Sequence, residues 1–341
     1  MRRLTILETD RLNIALMLLS LVPSFLLPFS TFLFVYAFLG PLHYLTEINW
    51  LHKKKYFTQN RYEYGFIYVI IALTGILIIT KSPLRRYVPL LTCIVFFGTL
   101  GFIALKNNRQ KILFTALFAI VGALFYFGLN TYFRIVFSTL IPTIAHVFLF
   151  TGFFILIGAL KSNSTTGKIS LGVFTACALI TLFAGTGLNM EIANEAIQNN
   201  HSSFRKLNKV LMALFGMFGA QNGTAGLAHD NSSLNETDLM LYFSTTGIKV
   251  MRFVAFAYTY HYLNWFSKTS VIQWHNTKRI NLVAIIAIWI ASVALYIFDY
   301  KTGLKWLFLL SFGHVLLEFP LNHRSFIEVK ERLFLKFAKQ S

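Results

Sequence analysis

Long runs of apolar residues constrain this chain more than any other feature of its sequence. Of its 341 residues, 56% are hydrophobic and only 13% are charged, whereas charged residues make up about a quarter of an ordinary soluble domain. A helix of roughly 20 apolar residues can cross the hydrocarbon core of a bilayer, because its backbone hydrogen bonds are made internally. The sequence therefore predicts an all-α fold: a polytopic integral membrane helical bundle that forms a single transmembrane domain, 1–341.

The apolar runs predict about ten transmembrane helices, and Pro142 is expected to kink the sixth. Basic residues are roughly twice as numerous in the loops on one side as on the other, which predicts that the N- and C-termini are cytoplasmic. The net charge of +18 is then explained by topology, and no nucleic acid partner is expected. The predicted location is the cell membrane, as a multi-pass protein of the bacterial inner membrane. The spans are placed near 12–29, 30–51, 65–80, 88–105, 112–129, 135–160, 169–188, 246–267, 280–299 and 303–321.

The one long segment between predicted spans is 189–245. Within it, 204–218 has apolar residues at helical spacing with three basic residues between them, which predicts an amphipathic helix at the membrane interface. Closely spaced glycines after it leave a re-entrant helix as the alternative. In the ten-span topology this loop is extracytoplasmic, and it is the expected surface for any membrane-protein partner.

Four histidines lie inside predicted spans, on the second, sixth, eighth and tenth helices. At a rise of 1.5 Å per residue, three of them are expected about 10–15 Å from the cytoplasmic boundary, where they could share one layer. The histidine of the sixth span is expected about 22 Å deep, so it joins the others only if that span is tilted or kinked. The four are His43, His146, His261 and His314.

Neutral imidazole is a common metal ligand and suits iron, copper and zinc. We therefore interpret the four histidines as candidate metal ligands, with Fe(II) as the expected cofactor. Glu47 and Glu318 each lie one helical turn after a histidine and are the candidate catalytic carboxylates, since such groups orient ligating imidazoles. An iron site within the membrane predicts a hydrophobic small-molecule substrate that enters from the surrounding membrane lipids. The alternative is that each histidine is a packing residue with a hydrogen bond.

The remaining histidines and the cysteines carry weaker signals. His52, His275 and His323 flank spans and are expected to contact solvent or lipid headgroups, while His201 and His229 lie in the long loop. The two cysteines are isolated within apolar runs, so no redox pair is predicted. The zinc-protease pattern H-E-x-x-H is absent from the sequence.

Two other classes of function remain open. A transporter could use a His/Glu proton relay, with Lys249, Arg252 and Asp299 along a polar path. A non-catalytic subunit of a larger membrane assembly would use its buried polar groups to hold helices together.

Four short motifs resemble those of the Brp/Blh family of membrane carotenoid 15,15'-dioxygenases. Two positions depart from the family pattern: Gly-Pro-Leu-His stands where the family has Gly-Leu-Pro-His, and Trp265 occupies the second histidine position of the third motif. The resemblance implies non-haem iron and oxidation of a polyene or other lipid. The motifs are Gly40-Pro-Leu-His43 with Glu47, Ala145-His146-Val-Phe148, Tyr260-His261-Tyr-Leu-Asn-Trp265 and Gly313-His314-Val-Leu-Leu-Glu318.

Overall fold

The computed structural model describes residues 5–216, 236–268 and 277–338, without the side chains of 236, 237 and 334–338. The described residues are overwhelmingly helical and form no extended strand, which confirms the predicted all-α class. The α-helices are α1 Ile6–Leu26, α2 Pro28–Phe34, α3 Gly40–Lys53, α4 Arg61–Ile79, α5 Val88–Ala104, α6 Asn108–Gly128, α7 Asn130–Ile135, α8 Thr151–Ser162, α9 Thr165–Phe183, α10 Glu195–His201, α11 Arg205–Gly216, α12 Glu236–Phe243, α13 Thr245–Ser267, α14 Arg279–Phe298 and α15 Tyr300–Ala338.

Wider π-helical stretches, Val35–Leu39 and Val136–Phe150, connect α2 to α3 and α7 to α8. Helices therefore run almost without interruption from Pro28 to Lys53 and from Asn130 to Ser162. Short 3-10 turns occupy Lys55–Phe57, Pro83–Tyr87 and Ser202–Phe204.

Nine helical segments within the described ranges are long and apolar enough to cross a membrane, as expected of a membrane-spanning protein. The remaining predicted span corresponds to α13, which is a continuous helix but is too polar to meet the same criterion. The count of ten and the orientation of the termini stay predictions. The nine segments are Ile6–Leu26, Pro28–Lys53, Arg61–Ile79, Pro83–Ala104, Asn108–Gly128, Asn130–Ser162, Thr165–Phe183, Arg279–Phe298 and Tyr300–Leu333.

The chain divides by its internal contacts into two units, each assembled from two separate stretches of sequence. Unit 1 comprises the described residues of Met1–Leu39 and Lys161–Val271, and unit 2 those of Gly40–Leu160 and Ile272–Ser341.

Unit 1 is built around α13, which packs against α1, α2, α9 and α11. The centre of α13 is buried on every side, so its polar residues need partners within the protein. Arg252 shows how one is satisfied: its guanidinium donates to the carbonyl oxygens of Gly185 and Thr186, at 2.7 and 3.2 Å, and lies over the ring of Phe25. From sequence this arginine had a place only along the polar path of the transporter alternative, and here it anchors the loop after α9.

The turn between α1 and α2 is a single residue, Leu27, and the two helices contact each other. Glu191 supports it, because its carboxylate accepts hydrogen bonds from the backbone N–H groups of Phe29 and Ser30, at 2.7 and 2.8 Å. Those N–H groups lie in the first turn of α2, where no carbonyl of the same helix can accept them.

Helix α11 covers most of the predicted amphipathic segment. Leu207 and Leu211 are buried on one face, while Lys206 and Lys209 are exposed. Whether this face meets a membrane stays a prediction. The glycine-rich residues proposed as a re-entrant piece, 217–235, lie outside the described residues.

Unit 2 is built around α15, which packs against α3, α5 and α14. Its residues from Phe312 to Asn322 are buried, except for Leu321, which is partly exposed. Helices α6 and α14 instead present large apolar side chains outward: Ile112 is 68% exposed and Phe298 is 88% exposed. Such an apolar surface would be unfavourable in water and suits a lipid environment.

Replacing Gly303 by alanine is expected to destabilise the protein by about 1–3 kcal/mol. The glycine lies in the first turn of α15, and a Cβ atom there would be 2.4 Å from the Cα of Tyr296 on α14. A backbone atom cannot move away from the new Cβ atom as the end of a flexible side chain can. Thermal unfolding in detergent would measure the change.

Gly65→Ala is the matched control, because a Cβ there meets no atom within 4 Å. Alanine is preferred to glycine within a helix by roughly 0.5–1 kcal/mol, so this variant should melt at or slightly above the wild-type temperature. A Gly303→Ala protein as stable as Gly65→Ala would contradict the close approach of α14 and α15.

Candidate metal centre

His43 lies in the first turn of α3, directly after the π-helical stretch Val35–Leu39. Pro41 explains the widening. Proline has no backbone N–H, and in a regular α-helix its ring collides with the carbonyl four residues earlier, here that of Ala37. A π turn takes up one extra residue and relieves the collision. Because an extra residue rotates all that follows, this local feature sets the face on which His43 lies.

His146 lies on the longer π-helix, Val136–Phe150, which contains Pro142. The carbonyl four residues before this proline belongs to Ser138, within the same widened stretch, so the same collision is relieved here. From sequence we expected His146 to reach the other histidines only if its span was tilted or was kinked at Pro142. Its Nε2 lies 3.1 Å from Nε2 of His314, so the two histidines do meet.

Glu318 and His314, one turn apart on α15, both contact His146. The Oε2 atom of Glu318 is 2.9 Å from Nδ1 of His146, the nitrogen on the opposite side of the ring from the one that faces His314. A carboxylate that accepts a hydrogen bond from Nδ1 would keep the proton there and leave the lone pair at Nε2. That lone pair is the one a metal would need.

On α3, the Oε2 atom of Glu47 lies 3.2 Å from Nε2 of His43. The ring of Tyr44 stacks on His314, with centroids 4.3 Å apart and planes 24° apart. Gly40 leaves room for this ring, because a Cβ there would lie 3.0 Å from the tyrosine hydroxyl. We did not single out Tyr44 from sequence, and the only signal was a glycine one turn before it.

Of the four histidines chosen from sequence, three lie in unit 2 and form one buried group that could hold a metal ion, each offering one ring nitrogen. Within unit 2, the nearest nitrogens of His43, His146 and His314 lie within 4.8 Å of one another. These three residues and both glutamates are at most 3% exposed. His261, on α13 in unit 1, is 8% exposed.

The spacing and charge of the group fit a divalent cation. Two nitrogens bound at right angles to one metal, each about 2.1 Å from it, are about 3.0 Å apart. The Nε2 atoms of His146 and His314 are 3.1 Å apart, a distance that suits two ligands of one metal and equally a hydrogen bond between the two rings. Glu47 and Glu318 carry two negative charges when ionised, and burying such charges is costly without a nearby cation. A doubly charged metal among neutral imidazoles would offset both.

The other described histidines have separate partners. His323 is buried, and its Nε2 lies 2.7 Å from the carbonyl oxygen of Phe96, so the expected contact with solvent or headgroups is wrong for this residue. Nδ1 of His52 lies 3.1 Å from the hydroxyl of Tyr56. The predictions for His229 and His275 lie outside the described residues.

His201, which we expected only to occupy a loop, is fully buried in unit 1 at the end of α10. Its ring packs against Phe29 and Tyr242, and its Nε2 lies 3.3 Å from Nδ2 of Asn208. Burial, with a smaller contribution from Arg205, lowers the pKa of His201 to about 3. The ring is therefore neutral and packs as an aromatic residue.

Comparisons with protein-family models, with curated proteins and with solved structures found no match to this chain.

Proposed function

We propose that this protein is a membrane-embedded non-haem iron oxygenase that acts on a lipid-soluble substrate such as a polyene. The observation that carries the proposal is the buried group His43, His146 and His314 in unit 2, with a carboxylate within 3.2 Å of two of them. The motif resemblance to the membrane carotenoid dioxygenases supports iron and a polyene over other metals and substrates. The geometry of the buried histidines supports a site that could hold a metal ion, and this part of the proposal does not depend on the resemblance.

The protein's own groups would have distinct tasks at such a centre. Glu318 would hold the proton on Nδ1 of His146, and Tyr44 would fix the plane of His314 by stacking. His43 would be the third ligand from unit 2, and the role of His261 as a ligand stays a prediction from sequence. Bound Fe(II) would supply the redox chemistry that activates O₂, and the burial of the group would keep bulk water away from it. Glu47 and Glu318 would be the groups that position or move protons.

An imidazole ligand set is shared by iron, zinc and copper, so the identity of the metal needs measurement. We expect iron at about one atom per chain in protein purified in detergent and analysed by mass spectrometry for all three metals. With O₂ and a carotenoid in micelles, the loss of polyene absorbance should follow the iron content across chelated and iron-reloaded samples. Metal-free protein that cannot be reloaded would refute the proposal. Iron-loaded protein that leaves polyenes intact would refute only the substrate class.

A proton relay in a transporter is the second candidate. The sequence of contacts Glu318–His146–His314, at 2.9 and 3.1 Å, favours it, because such a chain can pass a proton as well as orient a ligand. Metal-free protein in liposomes that moves protons down a pH gradient, and loses this proton transport on replacement of Glu318 by glutamine, would establish the relay.

The inner-membrane location and a membrane-protein partner that binds the 189–245 loop remain proposals. Membrane fractionation and cross-linking would test them.

A further inference from the structure

We propose that a groove between α4 and α6 binds one anionic phospholipid from the surrounding membrane. The groove belongs to unit 2, lies apart from the histidine group, and has a volume of about 520 Å³. Its long walls are mostly apolar and include Phe66, Ile112, Ala116 and Ala119. One end is polar, formed by side chains at the first turns of the two helices.

The length of the groove matches one leaflet. Its lining on α6 runs from Asn108 to Ala119, eleven residues apart, which is about 16 Å along a helix. The hydrocarbon core of a bilayer is about 30 Å thick, so the groove covers about half of it. The polar end coincides with the start of two helices that can cross a membrane, where headgroups would lie.

The two buried charged side chains at the polar end of the groove neutralise each other. The Nζ atom of Lys111 lies 2.6 Å from Oε1 of Glu63 and 2.9 Å from Oε1 of Gln59, and both charged groups are buried. Glu63 is the one acidic side chain among the described residues that line the groove, and Lys111 offsets it. The wall therefore presents no net negative charge to repel a phosphate.

The rim of the groove supplies the attraction for an anion. Arg61 directly follows Asn60 and precedes Tyr62, and Arg109 directly follows Asn108; these three neighbours all line the groove. Both arginines are exposed, as is Lys106 just before α6. The positive ends of the α4 and α6 dipoles lie at this same end. These charges complement a phosphate at the headgroup level.

The walls identify the occupant as a lipid, not a soluble anion. Ile112 is 68% exposed and Tyr62 is 73% exposed, and both lie on helices whose composition suits a membrane span. An acyl chain that lies along Phe66, Ala116 and Ala119 would cover this apolar surface. A free phosphate would leave the apolar walls uncovered.

Lipid titrations of the full-length protein in detergent, followed by native mass spectrometry, would test the site. Phosphatidylglycerol should bind at least about 25-fold more tightly than phosphatidylcholine with the same acyl chains, because two or more cations at a membrane surface contribute about fivefold each. The double variant Arg61→Gln/Arg109→Gln should weaken the binding of phosphatidylglycerol by roughly 25-fold and leave the binding of phosphatidylcholine unchanged. Inorganic phosphate should not compete.

Two tryptophan variants separate this groove from general lipid contact. Ala116→Trp fills the groove and should weaken phosphatidylglycerol binding, whereas Val121→Trp fills a separate apolar cavity of about 330 Å³ on the same helix and should not. Equal affinities for the two lipids, or unchanged phosphatidylglycerol affinity in the double arginine variant, would overturn the proposal. If Ala116→Trp fails to fold, the arginine variant still decides.

Discussion

Replacing His146 by alanine is expected to reduce the metal content of the purified protein to less than about a tenth of the wild-type value. His146 has both ring nitrogens engaged in the group, Nδ1 with Glu318 and Nε2 facing His314. Its removal takes away one ligand and leaves the carboxylate of Glu318 without its imidazole partner. Glu318→Gln, which retains the ligands but loses the charge, should lower metal affinity by about 10–100-fold. Equilibrium dialysis against iron and zinc would measure both.

The matched control for the metal experiment is His323→Ala. This histidine is as buried as the candidate ligands and lies on α15 with His314, but its partner is the carbonyl of Phe96. The control should lose some stability and retain its metal. Size-exclusion and circular dichroism would show that each variant is folded. If His146→Ala and His314→Ala both retain the metal content of the control, the histidine group is a packing cluster and not a metal centre.

Replacing Lys111 by methionine is expected to destabilise unit 2 by about 3–5 kcal/mol. The Lys111–Glu63 pair is separated by 2.6 Å, and its side chains are 4% and 6% exposed. Removal of the lysine leaves a buried carboxylate without its cation, and the desolvation cost of that charge is no longer offset. Thermal and chemical unfolding in detergent would record the loss.

Two further variants show whether the loss comes from the unpaired charge. The double variant Lys111→Met/Glu63→Leu should recover most of the stability, because no charge is then left buried. Arg332→Met breaks the Arg332–Glu328 pair, which has a similar separation of 2.9 Å but side chains that are 38% and 25% exposed. Pairs this exposed contribute only about 0–1 kcal/mol. Equal losses in Lys111→Met and Arg332→Met would argue against a buried pair.

The helices themselves were predictable because hydrophobicity is a local property of the sequence. Among the residues that the structure describes, nine segments with membrane-spanning character match predicted spans, since any chain with runs this apolar must bury them or place them in lipid. The span at 246–267 is helical as predicted, yet α13 is polar enough that composition by itself does not assign it to the membrane. The buried polar residues of α13 need hydrogen-bond partners on neighbouring helices, and the hydrophobic periodicity of the sequence does not show which helices those are.

The roles of the prolines illustrate the boundary between local and tertiary information. A distortion at Pro142 was predicted, because the lost N–H and the carbonyl collision are properties of the chain itself. The distance of 3.1 Å between His146 and His314 could not be predicted, because a π-helix of uncertain length changes both the depth and the face of every residue after it.

The sequence alone showed which side chains need partners: imidazoles and carboxylates inside apolar helices, where an ionisable group is too costly to occur without one. The tertiary structure decided which partner each one has. It set Glu318 against His146 on another helix and Glu47 against His43 on its own helix, and it gave His323 a backbone carbonyl and Lys111 a buried acid. Those pairings depend on how helices distant in sequence pack and rotate, and hydrophobic periodicity fixes a helix without fixing its neighbours.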